Sequence, residues 1–312
     1  MVSTAFLFPG QGTQAVGMGK ALFDAFPEAG AVFQAADDAL AEPLSRLCFE
    51  GPESELVLTR NAQPAILTTS IAAHAVWSAR GGPAAFVAGH SLGEYSALVA
   101  AGALSLPDAV RAVRARGTFM QEAVPAGTGA MAAVLGLDAE VVTRICAEVA
   151  GNEVVSPANF NSPEQTVIAG HATAVERAGA KLREAGAKRV VPLAVSAPFH
   201  TALMEPAKGR LAEVLARCTV SAPRMPVVTN VEAAPNADAA RVVPLLVSQV
   251  SAPVRWVESV RALAAAGVTR VVELGPGRVL GGLVKRISKD IEVLNVEDPA
   301  SLEKSLAAAG GR

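Results

Sequence analysis

Short apolar runs of strand length alternate along this chain with longer stretches whose apolar residues recur every three or four positions, the pattern of a sheet layered with helices. The first run, residues 4–9, ends in Gly10-Gln11-Gly12, a turn at the carboxyl end of the strand. Residues 21–58 carry helical periodicity broken at Pro27, Pro43 and Pro52, which predicts short helices and loops. Residues 63–79 predict a longer helix with Pro64 in its first turn, where a missing N–H leaves nothing unbonded. A buried strand is predicted over 84–89, a sharp turn at Ser91 and a helix over 92–101, then another helix over 107–124.

After Pro125 the pattern changes. Strands are predicted over 129–136, 154–159, 165–169 and 188–193, with helices over 138–149 and 172–184. That βαββαβ order is a ferredoxin-like unit, with Pro125 and Pro198 near its two hinges. Strands over 224–229 and 268–274, with helices between and after, return the chain to the first sheet. The predicted class is therefore α/β, with residues 1–124 and 196–312 forming the larger subdomain and 125–195 a smaller inserted one.

Composition narrows the function classes. A chain of 312 residues with 51% apolar content buries a sizeable core. Its 27 basic and 29 acidic residues give net charge −2 without long like-charge blocks, so nothing points to nucleic acid or a membrane surface. No apolar run reaches bilayer-spanning length, and the N-terminus reads as a strand and not as a signal peptide. A cytoplasmic protein acting as a monomer on a small molecule or a protein is expected. Cys48, Cys146 and Cys218 lie far apart without metal-site spacing, so they read as buried apolar residues, with neither disulfide nor metal.

The chemistry centres on Gly89-His90-Ser91-Leu92-Gly93. A strand that reverses into a helix leaves no room for side chains beside the apex, hence the flanking glycines, and it presents the serine hydroxyl as a candidate nucleophile. The helix start offers unpaired N–H groups where an acyl oxyanion forms. The same sequence also fits an ordinary tight turn. Of four histidines, His90 adjoins Ser91 but points the other way, His74 lies within a helix, and His171 stands at a helix start. By elimination His200, in the loop where the chain re-enters the larger subdomain, is the candidate base, although no acid is evidently placed to orient it.

Three features stay open on residues alone. Gln11 is either a backbone donor to a bound group or a turn residue. Ala109, Val113, Arg116 and Met120 fall within an arc of roughly 60° on their helix, so Arg116 sits on the apolar face. Its partner is either an interior carboxylate or one on the substrate. Gly275-Pro276-Gly277 opens the helix predicted over 279–288, and packing explains it better than a phosphate cradle.

The motifs Phe8 to Gly12, Gly89 to Tyr95, Arg116 with Met120-Gln121, Asn159 to Pro163, Ala197 to His200 with Met204, Gln249 before Pro253-Val254, and Glu273 to Gly277 stand in order over nearly the whole chain. Together they resemble the malonyl-CoA:acyl carrier protein transacylases. The resemblance implies an α/β-hydrolase-like larger subdomain and an active site in the cleft between the two. It further implies Ser91 as nucleophile, His200 as base and the Gln249 carbonyl orienting the imidazole. Gln11 and Leu92 N–H groups would form the oxyanion hole, and Arg116 would bind the malonyl carboxylate. Substrates would be malonyl-CoA and an acyl carrier protein, without cofactor or metal.

Phe199, beside the base, is expected either to crowd the central carbon of the malonyl group or merely to pack its loop. Carrier proteins are acidic, so a basic docking face is expected; Lys181, Arg183, Lys188 and Arg189, or Lys285, Arg286 and Lys289, could supply it, and both clusters also fit plain solvated faces. The motifs hardly separate an enzyme of fatty acid synthesis from the stand-alone acyltransferase of a polyketide or polyunsaturated fatty acid synthase. A serine thioesterase shares the Ser91 turn.

Overall fold

The computed structural model describes residues 2–195 and 197–310. The chain begins with β1 (Thr4–Phe8), followed by α1 (Lys20–Ala25), α2 (Pro27–Leu40), α3 (Leu44–Glu50), α4 (Glu53–Leu56) and α5 (Thr59–Ser78). The prolines at 27, 43 and 52 separate these short helices, as their missing N–H and fixed φ require. Helix α5 departs from expectation, because it starts at Thr59 and so encloses Pro64. Leu58 caps it, its carbonyl accepting from Asn61 N and Ala62 N at 2.8 Å each.

Next come β2 (Phe86–Gly89), α6 (Gly93–Ala100) and α7 (Leu106–Glu122). Gly117 of α7 lies against α5, where a Cβ would come within 2.6 Å of the Thr59 carbonyl oxygen. The smaller sheet then forms from β3 (Gly129–Leu135), α8 (Ala139–Ala150), β4 (Val155–Ser162), β5 (Gln165–His171), α9 (Ala172–Glu184) and β6 (Arg189–Pro192). The chain returns through α10 (Glu205–Leu215), β7 (Val227–Val228), β8 (Pro235–Asn236), α11 (Ala239–Gln249), α12 (Trp256–Ala265), β9 (Arg270–Leu274), α13 (Val279–Ile287), β10 (Glu292–Val296) and α14 (Pro299–Ala309).

Among the described residues the strands form a six-stranded sheet in the order β10-β9-β1-β2-β7-β8 and a four-stranded sheet in the order β4-β5-β3-β6. The larger sheet is parallel apart from the β7–β8 pair; the smaller is antiparallel throughout. Side chains alternate across the larger sheet: Phe6, Phe8 and Val272 enter one core and Ala5, Leu7 and Val271 the other. In the smaller sheet Ala132, Val134 and Ile168 pack under α8 and α9, whereas Met131, Ala133 and Ala169 join the core of the larger sheet.

Two contacts bind the sheets further. The Pro198 ring rests on Gly129, where a Cβ would lie 2.3 Å from it. Val254 pairs with β4 like an added strand, with Phe160 N donating to Val254 O and Val254 N to Ala158 O at 2.9 Å each. The strand expected over 224–229 shrinks to Val227–Val228, since Pro223 and Pro226 supply no N–H to a ladder. Cys218 is half-buried, while Cys48 and Cys146 are buried as expected. Ser196, where the sequence set the return to the larger sheet, lies outside the described residues.

Candidate active site

Strands β1 and β2 are parallel with Phe8 opposite Gly89, so the turn at Gly10 to Gly12 and the turn at Ser91 stand side by side beyond their carboxyl ends. The approach is close enough to exclude side chains. A Cβ on Gly89 would fall 1.9 Å from Gly93 C, and one on Gly93 2.0 Å from Phe8 O. Ser91 itself adopts φ 52°, a left-handed conformation that a serine holds only when its surroundings enforce it.

The enforcing group is Asn230, fully buried after β7. Its Oδ1 accepts from Ser91 N at 2.6 Å and its Nδ2 donates to Gly89 O at 2.6 Å, so one amide clasps both sides of the turn. His90 turns away, its Nε2 2.8 Å from Asn161 Oδ1 and its ring against Trp256.

His200 also has positive φ, 61°. Its Nε2 lies 2.7 Å from Ser91 Oγ, and its Nδ1 lies 2.9 Å from Gln249 O and 3.1 Å from Ala252 O. Carbonyls only accept, so the proton sits on Nδ1 and Nε2 is left to accept from the serine hydroxyl. Burial, with the charge of Arg116 second, pushes the imidazole pKa down to about 3, and the two carbonyls only partly oppose this. The ring is thus neutral across the physiological range.

Arg116, 2% exposed on α7, faces the same point. Its Nη2 donates to Ser91 Oγ at 3.1 Å and to Gln249 Oε1 at 3.0 Å, and its Nη1 donates to Gln63 Oε1 at 2.8 Å. Its Nε has no hydrogen-bond partner among the described residues, and none of their carboxylates forms an ion pair with it. Of the two partners the sequence left open, the interior carboxylate is therefore absent among them. Gln249 Nε2 in turn donates to Ser91 O at 3.0 Å and to Glu94 Oε2 at 2.8 Å. Glu94, fully buried, also accepts from Asn230 N, and burial raises its carboxyl to about 7.

Ser91, His200, Arg116 and Gln63 line a cleft of about 440 Å³ between the two sheets, with Gln249, Glu94 and Asn230 buried behind them. Gln11, Ser91 and Arg116 stand on the side of the larger sheet, and Met131 and Asn159 on the side of the smaller. Gln11 and Leu92 border the cleft, and among the described residues neither backbone N–H has a partner. Phe199, nearly buried, borders it with Met120 and Leu193.

Gln63, Glu94, Asn161, Asn230 and the Ala252 carbonyl were not singled out by sequence. Glu94 and Asn161 left a signal, each standing within a motif of the family resemblance, and Glu94 is also an acid within an apolar helix. The others are brought in by long-range packing.

The remaining motifs fall elsewhere. The helix start after Gly275-Pro276-Gly277 is filled from within: Glu273 accepts from Leu280 N at 3.0 Å and Gly281 N at 2.7 Å, and Glu297 from Gly277 N at 3.1 Å. Lys188 and Arg189 of one basic cluster and Arg286 of the other border one surface cleft. Among the described residues no group of three or more His, Cys, Asp or Glu stands ready to hold a metal ion, and no helix is long and apolar enough to cross a membrane.

Residues 5–302 match the family model described as acyl transferase domain. The chain is 51% identical over 308 residues to the malonyl CoA-acyl carrier protein transacylase of Bacillus subtilis, covering 98% of this chain and 97% of that protein. It is equally similar, 51% over 309 residues, to the transacylase of the same name from Escherichia coli K12, covering 98% and 99%. Among solved structures, malonyl-CoA:acyl carrier protein transacylase from Xanthomonas oryzae superposes with TM-score 0.96 at 48% identity, covering 99% of this chain and 98% of that one. A malonyl-transacylase solved in complex with its type II PKS acyl-carrier protein also gives TM-score 0.96 at 48% identity, covering 98% and 99%.

Proposed function

The chain belongs to the acyl transferase domain family, and on that premise we propose that it moves the malonyl group of malonyl-CoA to the phosphopantetheine thiol of an acyl carrier protein, supplying fatty acid elongation. The observation that carries the choice of acyl group is the Arg116 guanidinium, buried without an ion-pair partner among the described residues and 3.1 Å from the Ser91 hydroxyl. A fixed cation beside the nucleophile favours an acyl group that ends in a carboxylate. Neutral acyl groups leave it without a counterion.

In this reading His200 Nε2 takes the Ser91 proton as Oγ attacks the thioester carbonyl. The new C–O bond pushes the carbonyl electrons onto oxygen, where the N–H groups of Gln11 and Leu92 are the donors. Collapse breaks the C–S bond, the CoA sulfur recovers the proton from the imidazolium, and malonyl-Ser91 remains. The carrier thiol then gives its proton to His200, attacks the ester carbonyl and returns the serine, completing a ping-pong cycle. The carbonyls of Gln249 and Ala252 substitute for a triad acid. They hold the ring without a second buried charge.

Substrate carboxylate at Arg116 also offsets one of the causes that depress His200, second in size to burial, making the base stronger once malonyl-CoA is seated. No step requires a metal or resident cofactor. We read the larger body as α/β-hydrolase-like, over 1–124 and 196–312, and 125–195 as ferredoxin-like, on its βαββαβ order and the sheet order β4-β5-β3-β6. The protein acts in the cytoplasm as a monomer. Phe199 crowds the carbon between the malonyl carbonyls, and equal acylation rates with malonyl-CoA and methylmalonyl-CoA would remove that role.

Mass spectrometry after incubation with malonyl-CoA or acetyl-CoA, followed by addition of fatty acid and polyketide carrier proteins, tests the proposal. A malonyl adduct on Ser91 that leaves with a fatty acid carrier protein is the expected result. Steady CoA release by hydrolysis, without transfer to any carrier, identifies a thioesterase instead.

A further inference from the structure

We propose that the side-chain amide of Gln249 is a positioning residue for substrate selection, because it stands between the buried guanidinium of Arg116 and the buried carboxyl of Glu94 and keeps the cation available to the cleft. The inference rests on the reading of Arg116 as the carboxylate clamp. It goes beyond the Gln249 carbonyl, which serves His200.

Arg116 and Glu94 are each 2% exposed, yet they form no direct pair. Between them the Gln249 amide turns its oxygen to the cation, at 3.0 Å from Arg116 Nη2, and its nitrogen to the acid, at 2.8 Å from Glu94 Oε2. A guanidinium out of water otherwise pairs with the nearest carboxylate, and a fork-to-fork pair would occupy the donors that an incoming carboxylate needs. Neutral amide oxygens are weaker competitors. Arg116 is held by two of them, on Gln63 and Gln249, and by the Ser91 hydroxyl, each of which accepts without cancelling the charge.

The acid is satisfied on its own side. Glu94 Oε2 receives Asn230 N at 2.9 Å as well as the Gln249 amide, so it has no need of the guanidinium. Gln249 Nε2 additionally donates to Ser91 O at 3.0 Å, which fixes the amide's orientation and prevents it from presenting its nitrogen to Arg116.

Rates of Ser91 acylation by malonyl-CoA and by acetyl-CoA, read by mass spectrometry on rapidly quenched full-length protein, test this. In Gln249→Met the two charges are drawn together, and the malonyl-to-acetyl rate ratio falls about tenfold or more. In Glu94→Gln/Gln249→Met the competing acid is gone, and the ratio recovers to within about threefold of that of Glu94→Gln. A glutamine with only a packing role would lower both rates together and leave the ratio in place.

Gln249→Glu puts an anion directly on Arg116, so it lowers the ratio as well and serves if the methionine variant does not fold. A ratio within about threefold of the unsubstituted protein in either folded Gln249 variant, or a double variant no better than Gln249→Met, overturns the proposal. Arg116→Ala keeps the two ideas separable. An intact ratio there sinks the clamp itself, whereas a collapsed ratio there with an intact one in Gln249→Met sinks only the role of the amide.

Discussion

Two turns of the same kind stand at the carboxyl ends of parallel strands in the larger sheet, one between β2 and α6 and the other between β9 and α13. Both are punctuated by glycine, both open a helix, and each is followed or preceded by a buried acid that burial holds up to about 7. They differ in where that acid points. Glu273 reaches forward into its own helix start and takes the N–H groups of Leu280 and Gly281, which closes the turn on itself. Glu94 instead turns away toward Asn230 N and the Gln249 amide. The N–H of Leu92, a residue that borders the cleft, is left without a partner among the described residues.

In the proposed reading, the Ser91 bend becomes reactive because its own carboxyl leaves the helix start alone and another part of the chain delivers a base. Substitutions can break that contrast. The largest effect is expected from Ser91→Ala, which abolishes the adduct and slows malonyl transfer by about a thousandfold or more, measured by mass spectrometry and CoA release. An undiminished rate would show that the apex hydroxyl is not the nucleophile. Gly93→Ala attacks the bend itself, with a methyl placed 2.0 Å from the Phe8 carbonyl oxygen. It should lower the unfolding free energy in urea by about 3 kcal/mol or more.

The closed turn is sharpened by titration. A carboxyl whose folded pKa lies above its unfolded value favours the folded state at low pH and loses that contribution as pH rises through the folded value. For Glu273 the window runs from 4.5 to about 7, with at most about 3 kcal/mol at stake. Glu273→Gln should flatten the fall in stability over that range, measured by urea unfolding at several pH values. Part of the slope remains, because Glu94 titrates in the same direction. The smallest effect is Gly282→Ala on α13, where a Cβ meets nothing within 4 Å. Helix propensity predicts a gain of about 1 kcal/mol, and a loss would mean that this helix face is covered.

Most of the element order was legible because it rests on local pattern. The prolines cut residues 20–56 into α1 to α4, and the glycines at 89 and 93 mark the bend at Ser91. Pro64 misled because a proline at the start of a helix and one inside it look alike in sequence; the true start, at Thr59, lies where Gly117 packs closely against the Thr59 carbonyl. Strand β10 and helix α14 went unread. The apolar positions of β10, Val293, Leu294 and Val296, do not alternate, and α14 announces itself mainly through the Asp298 and Ser301 capping pair.

For the site, elimination among four histidines reached His200, but the carbonyl behind it came only from the family resemblance. Asn230 carries no local signature at all. A lone asparagine after a short strand becomes the clasp of the Ser91 turn only through contacts spanning more than a hundred residues, 139 to Ser91 and 141 to Gly89.

The main-chain pairing of Val254 with β4 has a consequence for any attempt to simplify the molecule. Ala252, two residues earlier, supplies one of the carbonyls behind His200, and Asn159, beside the pairing, borders the cleft. Excising the smaller sheet and rejoining the flanking chain would therefore remove more than a wall. It would unmoor the segment that keeps the imidazole pointed at the serine, so the truncated chain would be an inert scaffold and not a less selective enzyme.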